Sequence, residues 1–161
     1  MLTAKKAKGI MNALRAGVKT IEHGSYLDEE CVALMKERDA ILVATASVIE
    51  GGMEWVDEMP PASAKKLREI ANHLRKAYRL AIKSGVKVAL GTDSATSIEG
   101  TYNSHGTNGK EIYWAVKAGM TPLQAIEAAT AMGPETLGPY MAPKSGQLKE
   151  GYDADIIAVS L

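Results

Sequence analysis

"VKTIEHGSYLDEE", residues 18–30, joins two patterns within a few residues. Val18, Thr20 and Ile21 form a short apolar and β-branched run that reads as a strand. Asp28, with Glu29 and Glu30 behind it, reads as the start of a helix, where a side-chain acceptor and negative charge are both favoured. Lys36 and Arg38 near the far end complete the charge pattern that the helix dipole prefers. Between strand and helix stand His23 and Gly24. The stretch is therefore one strand-to-helix unit, and the rest of the chain can be searched for more of them.

Upstream, Ile10, Met11 and Leu14 recur at helical spacing between Thr3 and Ala16, and Gly17 follows where a helix C-terminus favours a residue without Cβ. Downstream, "AILVATASVI", residues 40–49, is a nearly continuous apolar run that suits a strand buried on both faces. "GGMEWVDEMPP", residues 51–61, reads as a loop from its Gly and Pro content, and Ser63 as the start of a long helix ending at Gly85. Leu67, Ile70, Ala71, Leu74, Tyr78 and Ala81 form the apolar stripe of that helix. "VKVALGTDS", residues 86–94, gives a third strand, followed by a loop rich in Gly, Ser, Thr and Asn from Ala95 to Gly109. Two helices come next; Thr121, Pro122 and Gln124 announce the second with a capping box. After Gly133 the pattern turns irregular and closes on a short alternating strand.

Alternating strands and helices with apolar strands imply an α/β fold, a parallel sheet covered by helices and joined by right-handed crossovers. Ligands bind such sheets at the carboxyl ends of the strands. His23 and the pair Thr92, Asp93 both fall there, on one rim.

Bulk properties narrow the function classes. With 161 residues and 46% hydrophobic content the chain can bury the core of one domain. Lys plus Arg and Asp plus Glu are 19 each, so no net charge or basic cluster draws it to nucleic acid or to an anionic membrane, and a small-molecule pocket is the expectation. A lone cysteine, Cys31, cannot form an intrachain disulfide and reads as a packing residue in a reducing compartment. No run approaches the about 18 apolar residues of a membrane span, and "MLTAKKAKGI" lacks the apolar centre of a signal peptide, so the expected location is cytoplasmic.

Neutral imidazole and carboxylate at equivalent strand ends suit a divalent metal and its activated water. Taken alone, His23 has three readings: metal ligand, base, or rim residue bonded to backbone. His105, in the loop after the third strand, is either a substrate contact or a solvated loop residue. His73 beside a helix stripe reads as solvent-facing, Trp55 and Trp114 as packing residues, and Asp155 as a turn carboxylate bonded to backbone amides.

Four ordered segments carry a resemblance: "AKGIMNALRAGVKTIEHGSYLDEECVALMKE" (7–37), "GVKVALGTDS" (85–94), "NGKEIYWAVKAGMTPLQAIEAAT" (108–130) and "GQLKEGYDADIIAV" (146–159). Together they resemble the C-terminal half of the amidohydrolase superfamily, especially its imidazolonepropionase-like and Xaa-Pro dipeptidase-like members. The resemblance implies a partial (β/α)8 barrel over residues 1–140, comprising about the last three β/α units. Residues 141–161 would return as a strand of an accessory β-sandwich. It further implies one or two divalent metals, zinc being expected, in the complete enzyme. His23 would correspond to the sixth-strand histidine that holds metal, and Asp93 to the eighth-strand aspartate that touches metal and takes a proton from water. His105 would contact an amide or peptide substrate.

The family's His-x-His pair and bridging lysine are not found in this sequence, and two ligands fall short of the three that a catalytic zinc takes. Hydrolysis of C–N bonds is thus expected of a completed barrel, with a missing N-terminal half as partner, and this chain by itself is expected to be inactive, with its own metal content left open. Whether it is a fragment, a truncated reading frame or half of a split enzyme stays open. A second reading is a non-catalytic α/β half-barrel that survives as a homo-oligomer through its open sheet edges.

Overall fold

The computed structural model describes residues 7–158. Three strands, β1 (Thr20–Glu22), β2 (Ile41–Val43) and β3 (Lys87–Ala89), form a parallel sheet in the order β1-β2-β3. Thr20 pairs with Ile41 and Ile41 with Lys87, so Ile21, Leu42 and Val88 stand abreast. Helix α1 (Ala7–Arg15) precedes β1 and α2 (Glu29–Glu37) joins β1 to β2. Helices α3 (Ala46–Glu54) and α4 (Pro61–Lys83), with a short 3-10 turn at Val56–Glu58, join β2 to β3, and α5 (Lys110–Ala118), α6 (Pro122–Ala129) and α7 (Met132–Glu135) follow.

The two faces of the sheet are unequally covered. On one, Ile21, Leu42 and Val88 join Ile10, Leu14, Met35, Leu74 and Ala81 in the main core. On the other, Ile41, Val43 and Ala89 pack with only Met132 in a small cluster. Cys31 is a packing residue, with 0% exposure and its thiol donating to the Ala7 carbonyl at 3.5 Å. The parallel α/β arrangement and the capping box at Thr121, whose hydroxyl accepts from the Gln124 amide while the Gln124 side chain accepts from the Thr121 amide, agree with the sequence pattern. The expected helix start at Thr3 lies outside the described residues.

Three expectations need correction. The run 40–49 is not one strand: β2 ends at Val43, Thr45 turns left-handed at φ 52, and Val48 and Ile49 belong to α3. Gly51 and Gly52 are not loop residues but the last turns of α3, where a Cβ on Gly51 would lie 2.9 Å from the Tyr102 carbonyl oxygen and one on Gly52 3.2 Å from Leu67 Cδ2. These glycines answer close approach rather than chain reversal. The long helix starts at Pro61 rather than Ser63, using proline at its first position.

In the tail, Asp153–Ala158 adopts no strand among the described residues, and Val159, Ser160 and Leu161 lie outside them. Tyr140, Leu148 and Ile157 are 97%, 90% and 86% exposed. Asp155 is exposed. No described helix is long and apolar enough to cross a membrane.

Candidate active site

Each of the three strands is followed, within four residues, by a residue of unusual backbone. His23, directly after β1, has φ 66; Thr45, two residues after β2, has φ 52; Asp93, after β3, has φ 54. Left-handed backbone is uncommon outside glycine, and for a β-branched residue such as threonine it is a true outlier. Such conformations cost energy and persist only where surrounding contacts over-determine them, which is why they gather at functional sites.

At β1 the contacts are explicit. The His23 amide extends the ladder by donating to the Val43 carbonyl at 2.8 Å, and the next amide, of Gly24, folds back to the Glu22 carbonyl at 2.8 Å. This bond around a positive φ is the pattern of the rare, strained γ-turn. Gly24 is required there: φ is +57 and an added Cβ would lie 2.5 Å from Leu42 Cδ1. The His23 ring is held through Nδ1, 2.7 Å from Thr45 Oγ1. Among the described residues Nε2 has no hydrogen-bond partner.

At β3 the local support is polar. Thr92 Oγ1 accepts from the Ser94 amide at 3.3 Å and from Asn108 Nδ2 at 3.1 Å, tying the turn that carries Asp93 to the end of the following loop. Gly91 gives the strand end its clearance, since a Cβ there would lie 2.8 Å from Val43 Cγ1. Asp93 itself is exposed and its carboxylate has no hydrogen bond among the described residues.

His23 and Asp93 line one cavity of about 420 Å³ at this rim. Its other walls mix charge and apolar surface, with Glu22, Lys66 and Glu69 on the polar side and Tyr26, Ile49 and Ile70 on the apolar side. An unpartnered imidazole nitrogen and a free carboxylate, on two residues that line one cavity, are donors of the kind a divalent cation takes. Among the described residues no group of three His, Cys, Asp or Glu side chains gathers into a metal cage. The pair by itself falls short of such a cage.

His105 is not in this cavity. Its amide donates to the Thr96 carbonyl at 2.9 Å, and its ring lies 3.4 Å from Ser97 Oγ and 3.2 Å from the Ser94 carbonyl oxygen, so it ties the exposed loop to itself. His73 is exposed and stacks on Tyr26, with ring centroids 4.5 Å apart. Trp55 is exposed, and Trp114 meets Tyr113 edge to face at 4.9 Å.

Two residues near the rim escape a reading of local pattern. Thr45 is 4% exposed and holds His23. Glu111, in the first turn of α5, is 2% exposed, and its two carboxylate oxygens accept from the Ala46 and Ser47 amides at 2.8 and 2.7 Å. Burial pushes its carboxyl above the ordinary range, and the donors at Ser47 and Ala46 pull it back. Tyr78 is likewise raised, first by burial and then by the Glu111 charge. The available signal for Glu111 was its place on the apolar face of α5, four residues before the fully buried Ala115.

Comparison with known proteins gives this geometry a family. Ochratoxinase of Aspergillus niger is 48% identical over 153 residues, which cover 94% of this chain and 30% of that protein. Its crystal structure superposes with a TM-score of 0.76 over 91% of this chain and 32% of that one. A crystal structure of a Xaa-Pro dipeptidase with bound methionine in the active site is 32% identical, with a TM-score of 0.78 over 92% of this chain and 35% of that one. An uncharacterized protein of Mycobacterium tuberculosis is 31% identical over 118 residues, 72% of this chain and 30% of its own length. The chain thus spans about a third of the length of these relatives. The sequence model of the amidohydrolase family matches residues 3–161, a span that includes all three strand ends, and the chain belongs to that family.

Proposed function

We propose that this chain is the C-terminal part of a metal-dependent hydrolase barrel that cleaves C–N bonds in amides, cyclic amides or dipeptides. The observation that carries the reading is the convergence of His23 and Asp93, from separate strand ends, on one cavity. The names of the relatives, an ochratoxinase and a Xaa-Pro dipeptidase, support hydrolysis of an amide beside an amino acid as the reaction class.

His23 Nε2 and the Asp93 carboxylate would hold a divalent ion, with zinc the expected one, together with ligands from a segment outside this chain. When bound, such an ion acidifies water toward neutrality and polarises a carbonyl. Asp93 accepts the proton of the attacking water at its carboxylate and returns it to the leaving nitrogen. The apolar wall of Tyr26, Ile49 and Ile70 receives the substrate side chain and keeps bulk water away. His105, held within the exposed loop after β3, would meet substrate only from that loop, outside the walls of the cavity. The exposed apolar tail residues Tyr140, Leu148 and Ile157 belong against the remainder of the protein. A single buried thiol, Cys31, fits a cytoplasmic setting.

The test joins this chain to a segment that supplies the first five strands of a close relative. The assembled form should hydrolyse N-acyl amino acids or Xaa-Pro dipeptides, and a chelator should abolish the activity. The lone chain should show neither turnover nor tight metal. Absence of turnover in a folded, zinc-loaded assembly against both substrate sets would reject the reading. The open sheet edges and bare tail also favour a second reading, a self-associating half-barrel without catalysis; a stable metal-free oligomer by native mass, inert after assembly, would establish it.

A further inference from the structure

Helix α3 starts in an unusual way. A threonine at a helix N-cap normally takes extended backbone and uses its own hydroxyl to accept an amide of the first turn. Thr45 does neither: it is left-handed, makes no side-chain cap, and places its hydroxyl 2.7 Å from His23 Nδ1 instead. The missing cap comes from another helix. Glu111, 65 residues further along than Ala46, accepts both first-turn amides, Ala46 at 2.8 Å and Ser47 at 2.7 Å.

The exchange is informative because the local solution was available. Thr45 in ordinary geometry would cap α3 without burying a carboxylate, and without leaving a β-branched residue in strained backbone. The structure instead buries the Glu111 carboxyl group. What that arrangement gains is the Thr45 hydroxyl, released from capping and turned to the histidine. A metal-holding imidazole is commonly oriented by a partner on its other ring nitrogen, which fixes both tautomer and ring direction.

We propose that Glu111 is a positioning residue for His23: by capping α3 from α5 it fixes Thr45 in its left-handed conformation, and the Thr45 hydroxyl then holds the His23 ring through Nδ1, leaving Nε2 outside that bond. The purpose assigned to this relay rests on the reading of His23 as a metal-holding residue. Its geometry does not.

The experiment reads the His23 ring directly, by long-range ¹H–¹⁵N NMR of the chain at a pH well above the imidazole range. The wild type should show an Nδ1 signal displaced from that of a free imidazole by its bond to the Thr45 hydroxyl. Thr45→Val should return that signal to the free-imidazole position, and Thr45→Ser should restore the wild-type signature. Glu111→Gln, which replaces one acceptor oxygen by an amide donor, should produce the same shift as Thr45→Val although it touches neither Thr45 nor His23. An unchanged His23 signature in folded Glu111→Gln would overturn the proposal and leave Glu111 a cap only. Should that variant not fold, Glu111→Asp takes its place with the same expectation. If both fail to fold, the carboxylate serves the fold rather than the histidine and the proposal falls.

In the assembled form, Glu111→Gln should also weaken zinc affinity by roughly 10- to 100-fold, the usual loss when an outer partner of a metal ligand is removed. The two readings separate cleanly. A His23 ring signature that follows Glu111 in a chain whose assembly never cleaves an amide supports the relay and rejects the hydrolase. Cleavage in an assembly whose His23 ring ignores Glu111 does the reverse.

Discussion

The ends of β1 and β3 carry the two candidate chemical groups, and they are built differently. After β1 the chain needs only residues 23–28 to reach α2, which opens on a fully formed side-chain cap at Asp28. After β3 it wanders through residues 90–109 before α5, whose N-cap, Gly109, has no side-chain bond to give. His23 is held by backbone, ring nitrogen and a tightly fitted glycine, whereas Asp93 stands on a turn tied through Thr92 and Asn108 and is itself exposed. The difference fits the proposed roles, in which both groups would hold the ion and Asp93 alone would also carry a proton. A group that must hold an ion at a fixed point gains from rigid placement, while a group that carries a proton between water and a leaving nitrogen gains from freedom to follow it.

The largest effect should come from exchanging the chemistry at these two ends. In the assembled form, Asp93→Asn should lower turnover by about 10²–10⁴-fold, the range for loss of a positioned acid–base group, while much of the metal stays bound. His23→Ala should act in the other order, with metal affinity falling by more than the roughly 10–100-fold seen for loss of an outer partner, and turnover falling with it. Metal analysis and initial rates on the same samples decide the matter. If Asp93→Asn empties the site and His23→Ala does not, the roles assigned to the two ends are reversed.

A stability comparison probes rigidity without any metal. Gly24→Ala places a Cβ 2.5 Å from Leu42 Cδ1 at a positive φ, so both packing and backbone oppose it. Urea unfolding should show a loss of about 2–4 kcal/mol. Gly91→Ala meets only Val43 Cγ1, at 2.8 Å, without positive φ, and should lose about 1–2 kcal/mol. Equal losses at the two sites would mean that the β1 end is no more tightly built than the β3 end.

The parts of this rim that are legible in the sequence are those made by near neighbours. Asp28 with its acidic first turn, the Thr121–Gln124 capping box, and the strand-to-helix order all rest on contacts a few residues long, and each is present. The misread stretch, residues 44–52, is governed from a distance. Ala44, Thr45, Ala46, Val48 and Ile49 have the composition of a buried strand, and only the Glu111 carboxylate on the amides of Ala46 and Ser47 reveals that a helix starts there. Gly51 and Gly52 carry the usual mark of a loop, yet their small size serves the approach of Tyr102 and Leu67. His23 and Asp93 could be placed at strand ends from pattern alone, but the Thr45 hydroxyl that orients one of them could not, because it depends on a backbone conformation that threonine rarely adopts.

The smallest expected effect tests whether the short connection after β1 owes its rigidity to its helix cap. The Asp28 carboxylate accepts from the Cys31 amide at 2.9 Å, and that bond holds its carboxyl below the ordinary range against the opposing effect of partial burial. A carboxyl lowered by folding contributes stability above its unfolded value, and that contribution is lost as pH falls through the folded value. Asp28→Ala should therefore cost about 1 kcal/mol in urea unfolding at neutral pH, and the gap from wild type should close as the solution is acidified below the ordinary Asp value of 3.8. The β3 end, with no such cap, supplies the control: Asn108→Ala should show no comparable narrowing of its gap in acid, since the two bonds it removes, from Asn108 Nδ2 to the Thr92 hydroxyl and from the Gly106 amide to Asn108 Oδ1, involve no ionisable group. A gap for Asp28→Ala that stayed constant into acid would show that the cap acts without its charge, and the contrast between the two strand ends would then rest on packing at Gly24 and the Thr45 bond to His23 rather than on the helix that follows.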